Sequence, residues 1–596
     1  MPRRPPVAER RSPRASRRHL AGLVALALAL VAVCACRPDR QPGTLVVAVD
    51  APIRDLDPRL ATDSPSARLS RLVFEGLTRV DESGAAVLDL AQRISEGPGR
   101  DARGRPIEMI VDLRHDVRFH DGSPLDGRDV AWTYQTVMDP TFGTVISGEF
   151  RRRFRAVVAD PDDPYRVRFL LRRPLATFAT DIVLGIAPRA LAASPGRRFP
   201  GLPIGTGPWR VVAPLLSDRV ELVRAPTHQD WQGAARPGPQ RLILRTIEDE
   251  GARVLSVLGG GADVAMGGLS PAVLQAAAAS GRAQIVASPG IAWSYLGLNL
   301  RRPGLDDARV RRAIAHAIDR RAIIDTLLGG RARVSEGMMA PGHPAWADLP
   351  DLVYDPARSR ALLDEAGLHP GPDGVRMRIE IKVSTNRFRR AVGRALARSL
   401  AVAGIEATVR SFELGTFLAD VRAARFEAFL LLLPEPVEAD LLAWMFHSQN
   451  VPPVPADPNA PTRYGRLERR AFPPGLWSAA VEADPRCREW REDAIADALR
   501  AFALAPLGLA ETFGTANRTG YFEPHVDCLL ELGRVTLDPA KRAGLYVEAQ
   551  RQLHDDLPVV PLWFEHQWAL VRDGVELPHL AADGRYAVLA QARWRP

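Results

Sequence analysis

"SYLGLNLRRPGLDDARVRRAIAHAIDRRAII", residues 294–324, changes periodicity halfway along. Tyr295 and Asn299 alternate to one side of an extended segment, and Trp293 joins them at period 2. Val310, Ile314, Ala317, Ile318 and Ile324 then form an apolar helical stripe. Asp306 or Asp307 caps that helix, and arginines cover its outer face. A strand that hands over to a capped amphipathic helix belongs to a mixed α/β body.

Further out, "FHDGSPLDGRDVAWTY", residues 119–134, gathers His120, Asp121, Asp126 and Asp129 with two aromatic rings. The cluster could suggest a metal or an acid–base pair, but each acid has a structural task. "DGSP" is turn chemistry. Asp126 stands at a helix N-cap, and Asp129 three residues on imitates a capping box. Val130, Tyr134, Val137 and Met138 form the buried face of the helix. "TLVVAV" (44–49) and "YRVRFLL" (165–171) read as strands, and "EMIVDLRHDVRFHDG" (108–122) as a hairpin-like pair. "DDLPVVPLW" (555–563) reads as a short buried strand. Helical periods cover 307–328, 357–367, 389–404 and 538–555. Strands and helices mix without a regular βαβ rhythm, which predicts an α/β body of several lobes. "VPPVPADPNAP" (451–461) marks a loop, and about 451–512 differs in composition from its surroundings.

The 596 residues have a hydrophobic share of 46% and a formal charge of +9. Seven arginines within residues 1–19 carry most of that excess. Without residues 1–35, 72 basic and 69 acidic side chains remain, a net of +3. No clustered basic face is left for nucleic acid. The basic start leads into "LAGLVALALALVAV" (20–33), 14 apolar residues. Spanning a bilayer takes about 20, so this run reads as the h-region of a signal peptide. "VCAC" follows and resembles a bacterial lipobox, with Cys36 as the acylated residue. Residues 1–36 are thus a signal peptide with lipobox, and 37–43 a linker. The expected location is the cell envelope, on the periplasmic side, lipid-anchored to a membrane. Of the remaining cysteines, Cys487 and Cys528 could form one disulfide or stay as two buried thiols. They lack CxxC spacing and clustered histidines, so no zinc site is expected.

The stretch at 119–134 also resembles "FHDGxPxxAxDV", a hallmark of the family-5 extracellular solute-binding proteins of peptide/nickel-type ABC importers. "LDPRL" (56–60), "VFEGLTRVD" (73–81) and "PIGTGPWRVV" (203–212) match the family pattern in order. So do "RTIEDEGARVLSVLGGGADVA" (245–265), residues 294–324, "YDPARSRALLDEAGL" (354–368) and residues 517–563. The resemblance implies a two-lobed, periplasmic-binding-protein-like α/β fold of type II, with an extra domain inserted in lobe I. The segments that follow are lobe I at 44–75, the inserted domain at 76–202, and lobe I again at 203–288. Lobe II covers 289–565, with an atypical insertion at about 451–512, and 566–596 returns to lobe I.

The implied role is capture of a peptide or other small solute in the interlobe cleft and delivery to ABC permease subunits with their ATPases. The protein would be a monomer, with no cofactor, no metal and no catalysis. No GxSxG elbow, Walker loop or HExxH motif appears in a supporting context. Peptide-binding members hold the ligand's amino group with an aspartate in a "FD…GWxxD" segment. Here the stretch is "RFEAFLLLLPEPVEADLLAWMFHSQN" (425–450); leucine replaces the tryptophan, and the aspartate position falls near Pro436. Glu435 or Glu438 could supply the charge. Trp293, Tyr295 and Asn299 are expected near the cleft, with Trp444 as a further aromatic candidate. His447 reads as structural. The alternative is a binding-protein-fold lipoprotein with a non-peptide ligand (opine, oligosaccharide or nickel complex), or with a sensor or chaperone role.

Overall fold

The computed structural model describes residues 41–595, apart from 62, 82–84, 215, 217, 229–237, 452–478, 489 and 491–515. The expected signal peptide with Cys36 and most of the expected insertion at 451–512 therefore lie outside the described residues.

The apolar run "TLVVAV" forms β1 (Thr44–Val49), buried along its whole length. Asp63 caps helix α1 (Ser64–Val73) by accepting from the Ser66 amide, and Leu69, Leu72 and Val73 form its buried side. Residues 77–186 then build a core of their own. β4 (Ala91–Glu96), β5 (Glu108–Leu113), β6 (Phe154–Ala159) and β7 (Arg166–Leu171) form an antiparallel sheet in the order β4-β5-β7-β6. Before them, β2 (Thr78–Val80) and β3 (Ala86–Leu88) make a two-stranded sheet.

Helix α2 (Gly127–Met138) packs on that four-stranded sheet. Its N-terminus is the capping box that the spacing predicts, Asp126 accepting at the helix start and Asp129 reaching back to the Asp126 amide. The predicted hairpin is different, because β5 pairs with β4 and β7, and residues 114–125 add only the bridge Arg118–Pro124. That segment is used instead to clamp the glycine turn at 205–207. The Gly205 amide donates to His120 Nδ1, the His120 amide to the Gly205 carbonyl, and His120 Nε2 sits 2.8 Å from the Gly207 carbonyl.

The chain returns to β1 through β8 (Trp209–Val211), β9 (Arg219–Arg224), β10 (Arg241–Thr246) and β11 (Val264–Met266). β1 lies parallel to β10 and β11. Asp263, fully buried, accepts from the Val46 amide at 2.9 Å and from Arg572 at 2.7 Å, so one carboxylate joins three segments of this lobe.

Two strands leave this core and continue into the next one. β12 (Ala283–Leu298) has 16 residues and pairs antiparallel with β17 (Val559–Arg572), which has 14. Residues 569–572 of β17 pair with or pack beside β11, whereas residues 559–564 belong to the second core, formed by residues 293–564. Between them, 284–289 and 565–568 are partly or fully exposed. β13 (Ala332–Val334) joins β17 on the far side. β14 (Met377–Ser384), β15 (Ile405–Phe412) and β16 (Ala428–Leu433) extend the sheet in the order β15-β14-β16-β12-β17.

The helical period 307–328 is two helices, α3 (Ala308–His316) and α4 (Arg320–Leu327). Asp307 caps the first, and Asp319 starts the second by accepting from the Ala322 amide. The stripe survives the break: Val310, Ile314, Ala317, Ile318 and Ile324 are all buried. α5 (Pro356–Glu365), α6 (Arg387–Ala401), α7 (Leu441–Phe446), α8 (Pro524–Val535) and α9 (Pro539–Asp556) complete the lobe. Among the described residues no helix is long and apolar enough to cross a membrane.

Candidate ligand cleft

β16 ends in the loop 434–440, from which Glu435 and Glu438 reach the amino-terminal part of the chain while Asp440 pairs with Arg534 of α8. Glu435 accepts from Arg68 Nε of α1 at 3.1 Å and lies 3.6 Å from Arg71. Arg68 also donates to the Asp583 carbonyl at 2.8 Å. Three residues on, Glu438 accepts from Thr180 Oγ1 at 3.0 Å and is paired with Arg542 of α9. Arg173 bonds Glu531 at 2.9 Å, and the Ala176 amide donates to the Arg534 carbonyl. The loop and the neighbouring helices are therefore tied to both amino-terminal bodies by charge-assisted contacts, the strong class of hydrogen bond.

Burial shapes the electrostatics of this seam. Asp181 is pushed up to about 6, chiefly because burial penalises its carboxylate. Arg153 and Thr177 oppose that shift, while Asp440 and Glu438 add to it. An acid that holds its proton more tightly when folded loses stability as pH rises from about 4 through about 6. Asp181→Asn should therefore flatten stability against pH in that window, relative to wild type, by on the order of 1–3 kcal/mol. Chemical denaturation at several pH values measures this, and parallel pH profiles for the two proteins would contradict it.

The expected aromatic face is not on a cleft wall. Trp293 is 1% exposed, donates Nε1–H to Ser335 Oγ at 3.0 Å and stacks on Tyr295 at 4.7 Å. Tyr295 is buried edge-on to Phe429, and burial raises its phenol. Asn299 donates to the carbonyls of Ala424 and Phe426, a brace between β12 and the segment before β16. Both faces of this strand are covered, so period-2 alternation here reports two kinds of core. Trp444 is different: it is 40% exposed, with the Arg518 guanidinium 5.9 Å from its ring.

Glu435 and Glu438 do reach an interlobe surface, each with an arginine already beside it. Those partners, Arg68, Arg71 and Arg542, escaped sequence reasoning. The one available signal was the i, i+3 spacing of Arg68 and Arg71 on a capped helix. His447 is buried between acids, with ring nitrogens 3.8 Å from Asp527 and 3.6 Å from Glu531, so it belongs to a buried charge network. Cys487 and Cys528 are joined, with Cα atoms 5.7 Å apart. A cavity of about 30 Å³ inside the second lobe touches Trp293, Glu336, Gln550 and His554. That is room for a water or two and far too little for a peptide.

Two α/β lobes joined by a long strand pair, with arginine and acid side chains meeting across the seam, are the build of a hinged solute-binding protein. The profile of the bacterial extracellular solute-binding proteins, family 5, matches residues 108–450, and the chain belongs to that family. The glutathione-binding protein GsiB of Salmonella paratyphi A is 26% identical over 551 residues, 90% of this chain and 92% of the relative. The oligopeptide-binding protein AppA from Bacillus subtilis, solved with a nonapeptide, superposes with a TM-score of 0.66 at 17% identity, covering 93% of this chain and 99% of that one. NikZ from Campylobacter jejuni, solved with Ni(L-His), gives 0.67 at 20% identity, covering 92% and 99%. The protein is therefore a substrate-binding protein of the ABC-transporter type and not an enzyme, and its family is extracellular or periplasmic.

Proposed function

We propose that the protein captures a small peptide or amino-acid conjugate in the cleft beside loop 434–440 and delivers it to a membrane permease. The division into lobe I (44–75, 203–288, 566–596), inserted domain (76–202) and lobe II (289–565) is part of this reading. The separate packing of the 77–186 and 293–564 cores supports it.

The observation that carries the ligand class is the pairing of Glu435 with Arg68 and Arg71. A ligand ammonium that sought Glu435 would have to displace a guanidinium, and one carboxylate does not serve both equally well. A ligand carboxylate, by contrast, meets Arg71, whose side chain is 55% exposed. The preferred solute is thus a peptide or conjugate with more carboxylates than ammonium groups, a description that glutathione fits.

The test is melting temperature of the refolded mature chain, residues 37–596, against glutathione, neutral dipeptides, opine acids, oligosaccharides and nickel–histidine. A ligand at 100 times its dissociation constant adds about 2.7 kcal/mol. The expected result is a shift with the acidic solutes that Arg71→Ala weakens. A shift with uncharged oligosaccharide alone, or with nothing, would overturn the assignment.

The same reading includes a lipid anchor on Cys36. Burying acyl chains contributes about 0.8 kcal/mol per methylene, so Cys36→Ser should move the protein from the membrane fraction to the soluble envelope fraction. Unchanged membrane recovery would contradict it.

A further inference from the structure

The disulfide stands inside a larger constellation. Asp484 begins a helical turn, its carbonyl accepting from the Cys487 and Arg488 amides. His525 lies in the first turn of α8 and Cys528 one turn on. The ligand atoms of Asp484, Cys487 and His525 lie within 4.8 Å of one another, and His525 Nε2 is 3.6 Å from Asp484 Oδ2. Cys528 completes the group through its bond to Cys487. Both cysteines are fully buried, while the Asp484 and His525 side chains are only 12% and 15% exposed.

The spacing is Asp-x2-Cys in one segment and His-x2-Cys in the other, two i, i+3 pairs facing each other. That is how structural zinc sites take four ligands from two short turns. Two thiolates on one tetrahedral ion stand about 3.7 Å apart, given metal–sulfur bonds of about 2.3 Å. Cα atoms 5.7 Å apart allow that spacing by side-chain rotation. Arg486, bonded to both Asp484 and Glu548, holds the Asp484 carboxylate in place beside the two cysteines. Its positive charge also offsets the net negative charge that two thiolates and a carboxylate leave around a divalent ion.

We propose that the reduced protein binds one zinc-like divalent ion through Asp484, Cys487, His525 and Cys528. The disulfide and the metal are then alternative staples for the same junction. Among the described residues, Val481 and Trp490 meet Leu532 of α8 in one apolar cluster with the two cysteines, so either staple locks a contact that the packing already makes. In an oxidising compartment the disulfide is the resting form. A dithiol reductant gives two electrons to the Cys487–Cys528 bond, leaving two thiols and the reductant's own disulfide. Metal binding then displaces the two thiol protons.

The test uses the whole mature chain, reduced with dithiothreitol, freed of reductant and titrated with Co²⁺. The expected result is one equivalent bound, with tetrahedral ligand-field bands and a thiolate-to-cobalt charge-transfer band, both bleached by Zn²⁺. The oxidised chain should show neither. His525→Ala still forms the disulfide, so its oxidised form reports folding, and its reduced form should lose the stoichiometric spectrum. No stoichiometric uptake, a thiolate-free octahedral spectrum, equal uptake by His525→Ala, or unfolding of the reduced chain before metal is added would each overturn the proposal.

Discussion

Trp293→Ala is expected to destabilise the protein by about 3–5 kcal/mol, while the affinity of the folded fraction for its solute stays within about threefold, under 1 kcal/mol. Removing the indole empties the centre of the second lobe, where Trp293 stacks on Tyr295 and lines the small internal cavity. It also strips Ser335 of a donor while that hydroxyl continues to serve the Gly337 carbonyl. The surrounding core is closely packed and relaxes only in part, so the loss combines transfer and cavity terms. Denaturant titration reads the stability and calorimetry the affinity. A large loss of affinity at full folding would return Trp293 to the ligand site.

The second large effect is expected at Gly290. A Cβ there would stand 2.2 Å from the Glu565 carbonyl oxygen and 3.2 Å from the Gln567 amide. Both are backbone atoms of the partner strand, so relief requires the strands to part. The pairing register shifts at this point, between Ser288 and Ala292, where the strand pair crosses from one core to the other. Gly290→Val should cost about 1–3 kcal/mol in strain. Because both lobes hang on this pair, the strain should appear as a misplaced cleft, with solute affinity weakened by about 5- to 150-fold. Gly201→Ala is the control, since a Cβ at Gly201 meets nothing within 4 Å. Calorimetry checks this, and a Gly290→Val protein that binds as wild type would show that closure does not depend on the crossing.

These expectations separate what is local from what is not. Sequence alone determined the helix start at Asp126, a second at Asp306 or Asp307, the buried stripe from Val310 to Ile324, the β1 and β7 strands, and the order of family motifs. All of these depend on residues a few positions apart, where backbone hydrogen bonding and side-chain periodicity act directly. It also brought Glu435 and Glu438 forward as the charged residues of an altered ligand segment.

Tertiary structure decided the rest. Glu435 finds Arg68 across 367 residues of chain, and Glu438 finds Thr180 across 258. No local pattern marks such partners, because charge pairing at a distance depends on which surfaces the fold brings together. Alternation at Trp293, Tyr295 and Asn299 could not distinguish a ligand face from a core face, since both are lined with aromatic and amide groups. "DDLPVVPLW" read as a short strand because its continuation, Glu565, His566 and Gln567, is polar and half-buried where the strand pair crosses between the cores. The Asp-x2-Cys and His-x2-Cys pairs are each unremarkable alone. They become one site only because residues 484–487 fold onto the start of α8, 41 residues beyond Cys487 at its bonded partner.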